Sequence, residues 1–77
     1  MPGFVQIKLF ATLASKLPAD ADRHPIHGPT AVKDLLSKLG IPAQQAKLIF
    51  VNGRKAGPDA LLQDGDRLGV FPPVGGG

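Results

Sequence analysis

Residues 48–71 read LIFVNGRKAGPDALLQDGDRLGVF, and this part of the sequence is the most informative about the fold class. It begins with the apolar run Leu48 to Val51, which meets Asn52-Gly53, a pair that tolerates the positive φ of a tight hairpin. Arg54-Lys55-Ala56 is then predicted to be the return strand. In Arg67 to Phe71, apolar residues alternate as they do on a strand with one buried face. The stretch therefore predicts three strands, the last of which runs nearly to the end of the protein.

The segment between the hairpin and the last strand is predicted to be turn structure. Ala60-Leu61-Leu62 follows Gly57-Pro58 and leads to Asp64-Gly65-Asp66. The two aspartates resemble part of a calcium loop, but the other ligands and the distal Glu of such a loop are missing from the sequence. We therefore assign them a turn and no chemistry.

The N-terminal residues change from a period of two to a helical period. Phe4 to Phe10 alternates apolar and polar side chains, which predicts a first strand with one buried face. Apolar residues then recur at helical spacing from Phe10 to Leu17, so we predict a short helix that Pro18 ends.

A second helix is predicted in the middle of the chain. Residues 19–29 are rich in Asp, Pro and His, and they indicate a loop with a brief edge strand interrupted by Pro25. Thr30 precedes an apolar stripe from Val32 to Leu39, so its hydroxyl is expected to cap a helix that Gly40 ends.

The composition fits one folded domain. The 77 residues are 43% apolar and 19% charged, a globular balance in a chain with room for a single core. The order strand, helix, strand, helix and three further strands predicts an α+β fold, with a mixed sheet and helices packed on one face.

Several kinds of function are excluded by what the sequence lacks. Without cysteine there is no disulfide, thiolate nucleophile, cysteinyl zinc site or iron-sulfur cluster. The net charge of +3 comes from scattered Lys and Arg, and no Tyr or Trp is present to stack on bases, so we expect no nucleic-acid partner. With no leader-like segment and no long apolar run, we expect no membrane partner and a cytoplasmic protein.

The sequence ends in Phe71-Pro72-Pro73-Val74-Gly75-Gly76-Gly77. The two prolines remove amide donors and favour extended geometry, so they predict a stiff stalk that leaves the sheet before the glycines. A glycine-rich end alone is commonly a frayed terminus. Here the glycines follow the prolines without a polar linker, which favours a functional end. We predict a domain over residues 1–72 and a flexible tail over residues 73–77.

In this order the segments resemble the β-grasp sulfur carriers, a ubiquitin-like family that includes the small subunit of molybdopterin synthase and the thiamine-pathway sulfur carrier. The resemblance is carried by Leu48 to Gly53, by Leu62 to Asp66, and by Phe71-Pro72-Pro73-Val74 before the glycines. The proline-containing end, and the helix directly after the first strand, resemble the molybdopterin branch more than the thiamine branch.

The resemblance implies that Gly77 is the reacting group. A carboxylate is a poor acyl donor because its leaving group would be oxide, so ATP must first convert it to an acyl-adenylate. The sequence has no phosphate-binding loop of its own. We therefore expect no cofactor on this chain and an adenylating partner of the ubiquitin-activating type that uses the ATP. A sulfur donor protein and the molybdopterin synthase large subunit, or an equivalent acceptor enzyme, are the other implied partners of a chain that is a carrier and not an enzyme.

The resemblance also implies a docking face. Phe10 and Phe71 would be core residues by default, whereas in the sulfur carriers an aromatic after the first strand and the Phe before the prolines contact the activating enzyme and the large subunit. The predicted partner-binding residues are Phe10, Phe71, Pro72, Pro73, Val74, Gly75 and Gly76. Lys55 stands where another apolar contact is expected, so the patch is expected to be smaller here.

The two histidines of the chain do not indicate a metal site. His24 and His27 are close in sequence, but only Asp20 and Asp22 accompany them, so a solvated loop is preferred to a metal site.

The sequence also suits functions other than a carrier for molybdopterin. One is a carrier for thiamine thiazole or another thiolation pathway. Others are a ubiquitin-like modifier whose activated Gly77 is captured by a lysine, and a binding module with an inert tail.

Overall fold

A computed structural model describes residues 3–73 of the chain. The strands in this range are β1 to β7 in chain order: Gly3–Leu9, His24–Ile26, Thr30–Ala31, Leu48–Val51, Arg54–Ala56, Leu61–Leu62 and Arg67–Phe71. The helix α1 spans Val32–Lys38, and short 3-10 helices span Ala11–Lys16, Ala21–Arg23 and Ala43–Gln45. No helix in the described part of the chain is long and apolar enough to cross a membrane.

Five strands form a mixed sheet in the order β2-β1-β7-β4-β5. β1 and β7 are parallel, with Ile7 opposite Leu68, while the other neighbours are antiparallel. The predicted α+β fold with a mixed sheet is confirmed. The last strand, β7, lies in the middle of this sheet and is hydrogen-bonded to a neighbour on each side, β1 and β4. The residues after Phe71 therefore follow a central strand.

The core lies between one face of the sheet and α1. Side chains of β1 alternate, so that Val5, Ile7 and Leu9 are buried while Phe4 and Lys8 are exposed. The buried residues that form one cluster are Val5, Ile7, Leu9, Leu13, Ala21, Ile26, Val32, Leu35, Leu36, Ile41, Ile49, Leu62, Leu68 and Val70. This apolar burial is the main favourable term in the stability of so small a domain.

The end of α1 is as predicted, but its beginning is not. Gly40 has φ of +77°, and the Ile41 amide donates to the Leu36 carbonyl at 2.9 Å, which closes the helix. The expected Thr30 cap is wrong, because the Thr30 hydroxyl donates to the Gly28 carbonyl at 3.0 Å. The first amides of the helix are instead satisfied by the backbone carbonyls of Pro58 and Ala60 (2.9 Å each), from a segment distant in sequence.

A second, two-stranded sheet corrects the prediction for residues 60–62. Leu61 and Leu62 form β6, which pairs antiparallel with β3, and Leu62 is fully buried. The sequence indicates only a turn here, because two residues are too few to show a strand period. This small sheet fixes the position of Thr30 and Ala31, the two residues that directly precede α1.

Three local predictions are confirmed: a short helix after the first strand, a brief edge strand, and a hairpin at Asn52-Gly53. Ala11–Lys16 is helical, although as a 3-10 helix, and Leu13 is its buried residue. β2 is the predicted brief edge strand, and it contains Pro25. Asn52 and Gly53 have φ of +55° and +81°, as the β4–β5 hairpin requires.

Candidate partner-binding face and the base of the tail

The face of the five-stranded sheet that points away from α1 carries Phe71, one of the predicted docking residues, and Phe10, another, lies against it. Because side chains alternate along each strand, this open face is built from the residues between the core positions. It includes Lys8 of β1, Phe50 of β4, and Arg67, Gly69 and Phe71 of β7.

The parallel register of β1 and β7 brings two distant phenylalanines together. Leu9 lies opposite Val70, so the next residues, Phe10 and Phe71, emerge side by side. Their rings stack with centroids 4.1 Å apart and planes 2° from parallel. Phe50 adds an edge-to-face contact to Phe71 at 5.7 Å and 82°. Aromatic pairs of this kind stabilise each other beyond the area they bury.

The backbone around Phe10 fixes the position of its ring. The Phe10 amide donates to the Val70 carbonyl at 3.1 Å, which extends the β1–β7 ladder by one residue. Ala11 then turns the chain with φ of +54°, a left-handed conformation that is unfavourable for a residue with a Cβ. The buried Leu13 anchors the following 3-10 helix. Phe10 is 37% exposed and is thus held on the surface, with one side of its ring against Phe71.

A depression of about 350 Å³ opens on this face beside the aromatic rings. Its lining includes Lys8, Phe10, Phe50, Arg67, Gly69 and Phe71. Gly69 lies between Lys8 and Phe50 across the strands, and a Cβ at this position would stand 3.6 Å from Cε2 of Phe10. The missing side chain of Gly69 therefore leaves room at the centre of the face.

The tail begins next to the aromatic rings. The Lys47 amide donates to the Phe71 carbonyl at 2.9 Å, which continues the β4–β7 pairing to the end of the strand. Pro72 is buried and Pro73 is exposed. The predicted site residues Val74, Gly75, Gly76 and Gly77 lie outside the described residues.

The charges on the open face are positive. Lys8 and Arg67 line the depression, and Lys55 lies opposite Phe50 in the β4–β5 pair, on the same face. Lys33 differs, because it belongs to α1 and pairs with Asp59 at 2.9 Å. The hydrogen bond and the charge of Asp59 raise the pKa of Lys33.

Two of the other polar residues considered from sequence, His24 and Asp66, have partners close in sequence. Nδ1 of His24 lies 2.8 Å from the Asp20 carboxylate, and His27 is exposed. Residues 3–73 contain no cluster of three or more His, Cys, Asp or Glu that could hold a metal ion. Asp66 closes the predicted turn by accepting from the Gln63 amide at 2.8 Å.

The geometry defines what this surface can do. It combines an apolar patch with cations that form no ion pair within residues 3–73, a composition typical of protein-binding surfaces. The fold together with this face defines a ubiquitin-like β-grasp protein of the sulfur-carrier and modifier class.

The family model described as Mut7-C ubiquitin matches residues 4–75, and the chain belongs to this family. No curated protein matches the sequence at a significant level.

Similar solved structures include SAMP1 of Haloferax volcanii, with 29% identity and a TM-score of 0.64 over 97% of this chain and 100% of that one. A Pyrococcus furiosus protein provisionally named molybdopterin converting factor, subunit 1, has 32% identity and a TM-score of 0.57 over 94% of this chain and 99% of that one. The HVO 2177 protein of Haloferax volcanii has 24% identity and a TM-score of 0.72 over 99% of this chain and 88% of that one, which shows the shared fold. The resemblance to β-grasp sulfur carriers is confirmed.

Four members of the face, Lys8, Phe50, Arg67 and Gly69, have no sequence signal that assigns them a function. The strand period does place all four on the side away from the core, since the neighbouring Ile7, Leu9, Ile49, Leu68 and Val70 are buried. Only the register between strands shows that they meet beside Phe10.

Proposed function

We propose that this chain is a sulfur carrier whose Gly77 carboxylate is activated and thiocarboxylated by a partner docked on the open face. The observation that supports this most directly is the stacked pair of Phe10 and Phe71 at the base of the tail. A rigid aromatic anchor on the central strand fixes where the tail starts relative to a docked enzyme.

The proposed chemistry has two steps. A ubiquitin-activating-type enzyme first joins the Gly77 carboxylate to the AMP portion of ATP and releases pyrophosphate. Hydrosulfide, or its equivalent from a sulfur donor protein, then attacks the acyl carbon and displaces AMP. Terminal glycines suit both steps because no Cβ obstructs a narrow channel or the approach to the carbonyl carbon. The ATP is bound by the partner, and this chain serves as its substrate in the cytoplasm.

The proposed recipient is a pterin precursor of the molybdenum or tungsten cofactor, bound by the large subunit of molybdopterin synthase. Support comes from the Phe71-Pro72-Pro73-Val74 end and from the similarity to the Pyrococcus furiosus protein named as a molybdopterin converting factor subunit. In such a complex this chain is the small subunit: its sulfur passes to the pterin precursor, and water supplies the oxygen that restores the Gly77 carboxylate.

The proposal is tested by intact mass spectrometry after incubation with ATP, the activating enzyme of the same organism, and sulfide. Replacement of one oxygen by sulfur is the expected result, and omission of ATP is the control that must abolish it. An unchanged mass, with the enzyme active on another carrier, contradicts the proposal. The thiocarboxylated chain is then offered to a molybdopterin synthase large subunit with pterin precursor, and to a thiazole synthase. Sulfur transfer in the second reaction only would assign the thiamine pathway.

A ubiquitin-like modifier is the second candidate, favoured by the similarity to SAMP1. Both candidates need the same adenylate, and they differ in the group that captures it. Incubation without sulfide but with a cell extract distinguishes them, because a modifier leaves Gly77 joined to lysine side chains through an isopeptide bond.

A further inference from the structure

The open face has a charge distribution that constrains what can dock on it. Every acidic residue of the chain is an aspartate, and none of them lies on the five strands of the main sheet. The face therefore displays Lys8, Lys55 and Arg67 without intervening carboxylates. Within residues 3–73, none of these three cations forms an ion pair.

Asp66 is the acidic residue closest in sequence to this face, and both of its carboxylate oxygens already accept hydrogen bonds. Asp66 directly precedes β7, but one of its carboxylate oxygens accepts from the Asn52 side chain at 3.0 Å and the other from the Gln63 amide at 2.8 Å. Its hydrogen bonds hold the two turns together. Within residues 3–73, the cations beside the depression therefore have no carboxylate partner and are available to one on a docked protein.

The shape of the face adds a second constraint. The depression over Gly69 has a volume of about 350 Å³ and is walled by Phe10, Phe50 and Phe71. Its exposed lining is largely apolar, so it favours an apolar side chain over a polar one. Partly buried aromatic walls around a central hole are the arrangement that receives an anchor residue at a protein interface.

A second copy of this chain does not suit the site. A two-fold contact through the open face would bring the cations of both copies into one interface, with no carboxylate on the sheet strands of either copy to meet them, and this charge balance is unfavourable.

We propose that the partner of the open face presents one protruding apolar side chain, which enters the depression over Gly69, surrounded by carboxylates that meet Lys8, Lys55 and Arg67. This inference rests on the proposed function, and it specifies the surface of the activating enzyme. Charge at the rim of an interface acts mainly on the association rate and is weakened by salt, whereas a filled central pocket acts on affinity at any salt concentration. The two parts of the proposal are therefore separable by experiment.

The experiment measures the rate of thiocarboxylation at low carrier concentration with the activating enzyme of the same organism. Lys8→Glu is expected to reduce the rate about tenfold at low salt and much less at high salt. Lys38→Glu is the matched control, because it makes the same change of charge at an exposed position of α1, on the opposite side of the sheet from the open face. Its rate is expected to stay within about twofold of the wild-type rate.

Gly69→Ala and Gly69→Val test the depression by filling it in two steps. The first Cβ makes only ordinary contact with Phe10 at 3.6 Å, and β-branched residues suit a strand, so both variants should retain the fold. Thermal unfolding of each variant checks this. The expected rates fall from wild type to Ala to Val, with the Val variant about tenfold slower at both salt concentrations.

The possible results distinguish a failure of this inference from a failure of the sulfur-carrier proposal. If Lys8→Glu behaves like Lys38→Glu, or if the folded Gly69→Val variant reacts like wild type, the inference is overturned while the sulfur-carrier proposal stands. Dimerisation of the wild-type chain through this face at high salt also overturns it. If the wild-type chain itself is not thiocarboxylated by an enzyme active on another carrier, the proposed function fails first.

Discussion

Single residues hold the turns that bring the open face together. Asn52 is the clearest example, because its backbone has φ of +55° while its side chain joins two segments. The side-chain amide donates to Asp66 at 3.0 Å, and the side-chain oxygen accepts from the Arg67 amide at 2.9 Å. Asn tolerates the left-handed conformation and bonds locally, which explains its place in this hairpin.

Replacement of Asn52 separates these two contributions. Asn52→Gly keeps the backbone conformation and loses the side-chain bonds, so we expect a loss of about 1 kcal/mol in the free energy of unfolding. Asn52→Ala loses the bonds and also strains the backbone, so we expect a loss of about 2 kcal/mol or more. Urea unfolding of both variants measures the difference. Equal losses would show that the left-handed conformation costs nothing at this position.

Ala11 is under strain of the same kind but has no compensating side-chain bond. Its φ of +54° turns the chain directly after Phe10, which stacks on Phe71. Ala11→Gly should relieve the strain and raise the free energy of unfolding by about 0.5 to 1 kcal/mol, after the entropy cost of glycine is counted.

The control for Ala11 is another exposed alanine in the same 3-10 helix. Ala14 has no positive φ, so Ala14→Gly should lower the stability by about 0.5 to 1 kcal/mol. Denaturant titration of the two variants should therefore give opposite signs. A loss of stability in both would mean that Ala11 is not strained.

The elements that make the site are β1 and β7, whose parallel pairing aligns the end of the first strand with the end of the last. Antiparallel pairing of β7 with β4 places Leu48 opposite Phe71 on the other side. The aromatic contact therefore depends on register, and a shift by one residue would send these side chains into the opposite face.

Phe71→Ala should weaken docking to the activating enzyme more than it weakens folding. Phe71 is half-buried on the surface of the sheet, so its loss should cost about 2 kcal/mol or more in binding and less than the 3 to 5 kcal/mol typical of a core Phe in stability. Calorimetric titration and urea unfolding of the same variant measure the two effects. Normal binding together with severe destabilisation would mean that Phe71 serves the core.

At the scale of the whole molecule, the sequence predicted the features that are encoded locally. The strand periods, the Asn52-Gly53 hairpin and the end of α1 at Gly40 each follow from neighbouring residues. The Thr30 cap failed and the β3–β6 pair was missed because both depend on contacts with residues far along the chain. The stacking of Phe10 on Phe71 has the same long-range origin, and only the family resemblance placed both on one surface beforehand.

Removal of the terminal glycines should abolish sulfur transfer without changing the stability of the folded domain. Deletion of Gly76-Gly77 is expected to leave the melting temperature within about 1 °C of wild type, because terminal glycines bury little apolar surface, and to abolish sulfur transfer. Differential scanning calorimetry and the thiocarboxylation assay are run on the same preparation. A large fall in melting temperature would instead show that the glycines are packed against the domain.

The most direct measurement locates the sulfur within the chain. Arg67 is the last Lys or Arg, so trypsin releases the tail as the peptide of residues 68–77, which contains Phe71 and the terminal glycines. After reaction with ATP, the activating enzyme and sulfide, fragmentation of this peptide should place one sulfur for oxygen on Gly77, in the ions that include the C-terminus. Sulfur found elsewhere, or an unmodified peptide from a reaction in which another carrier is modified, would contradict the account.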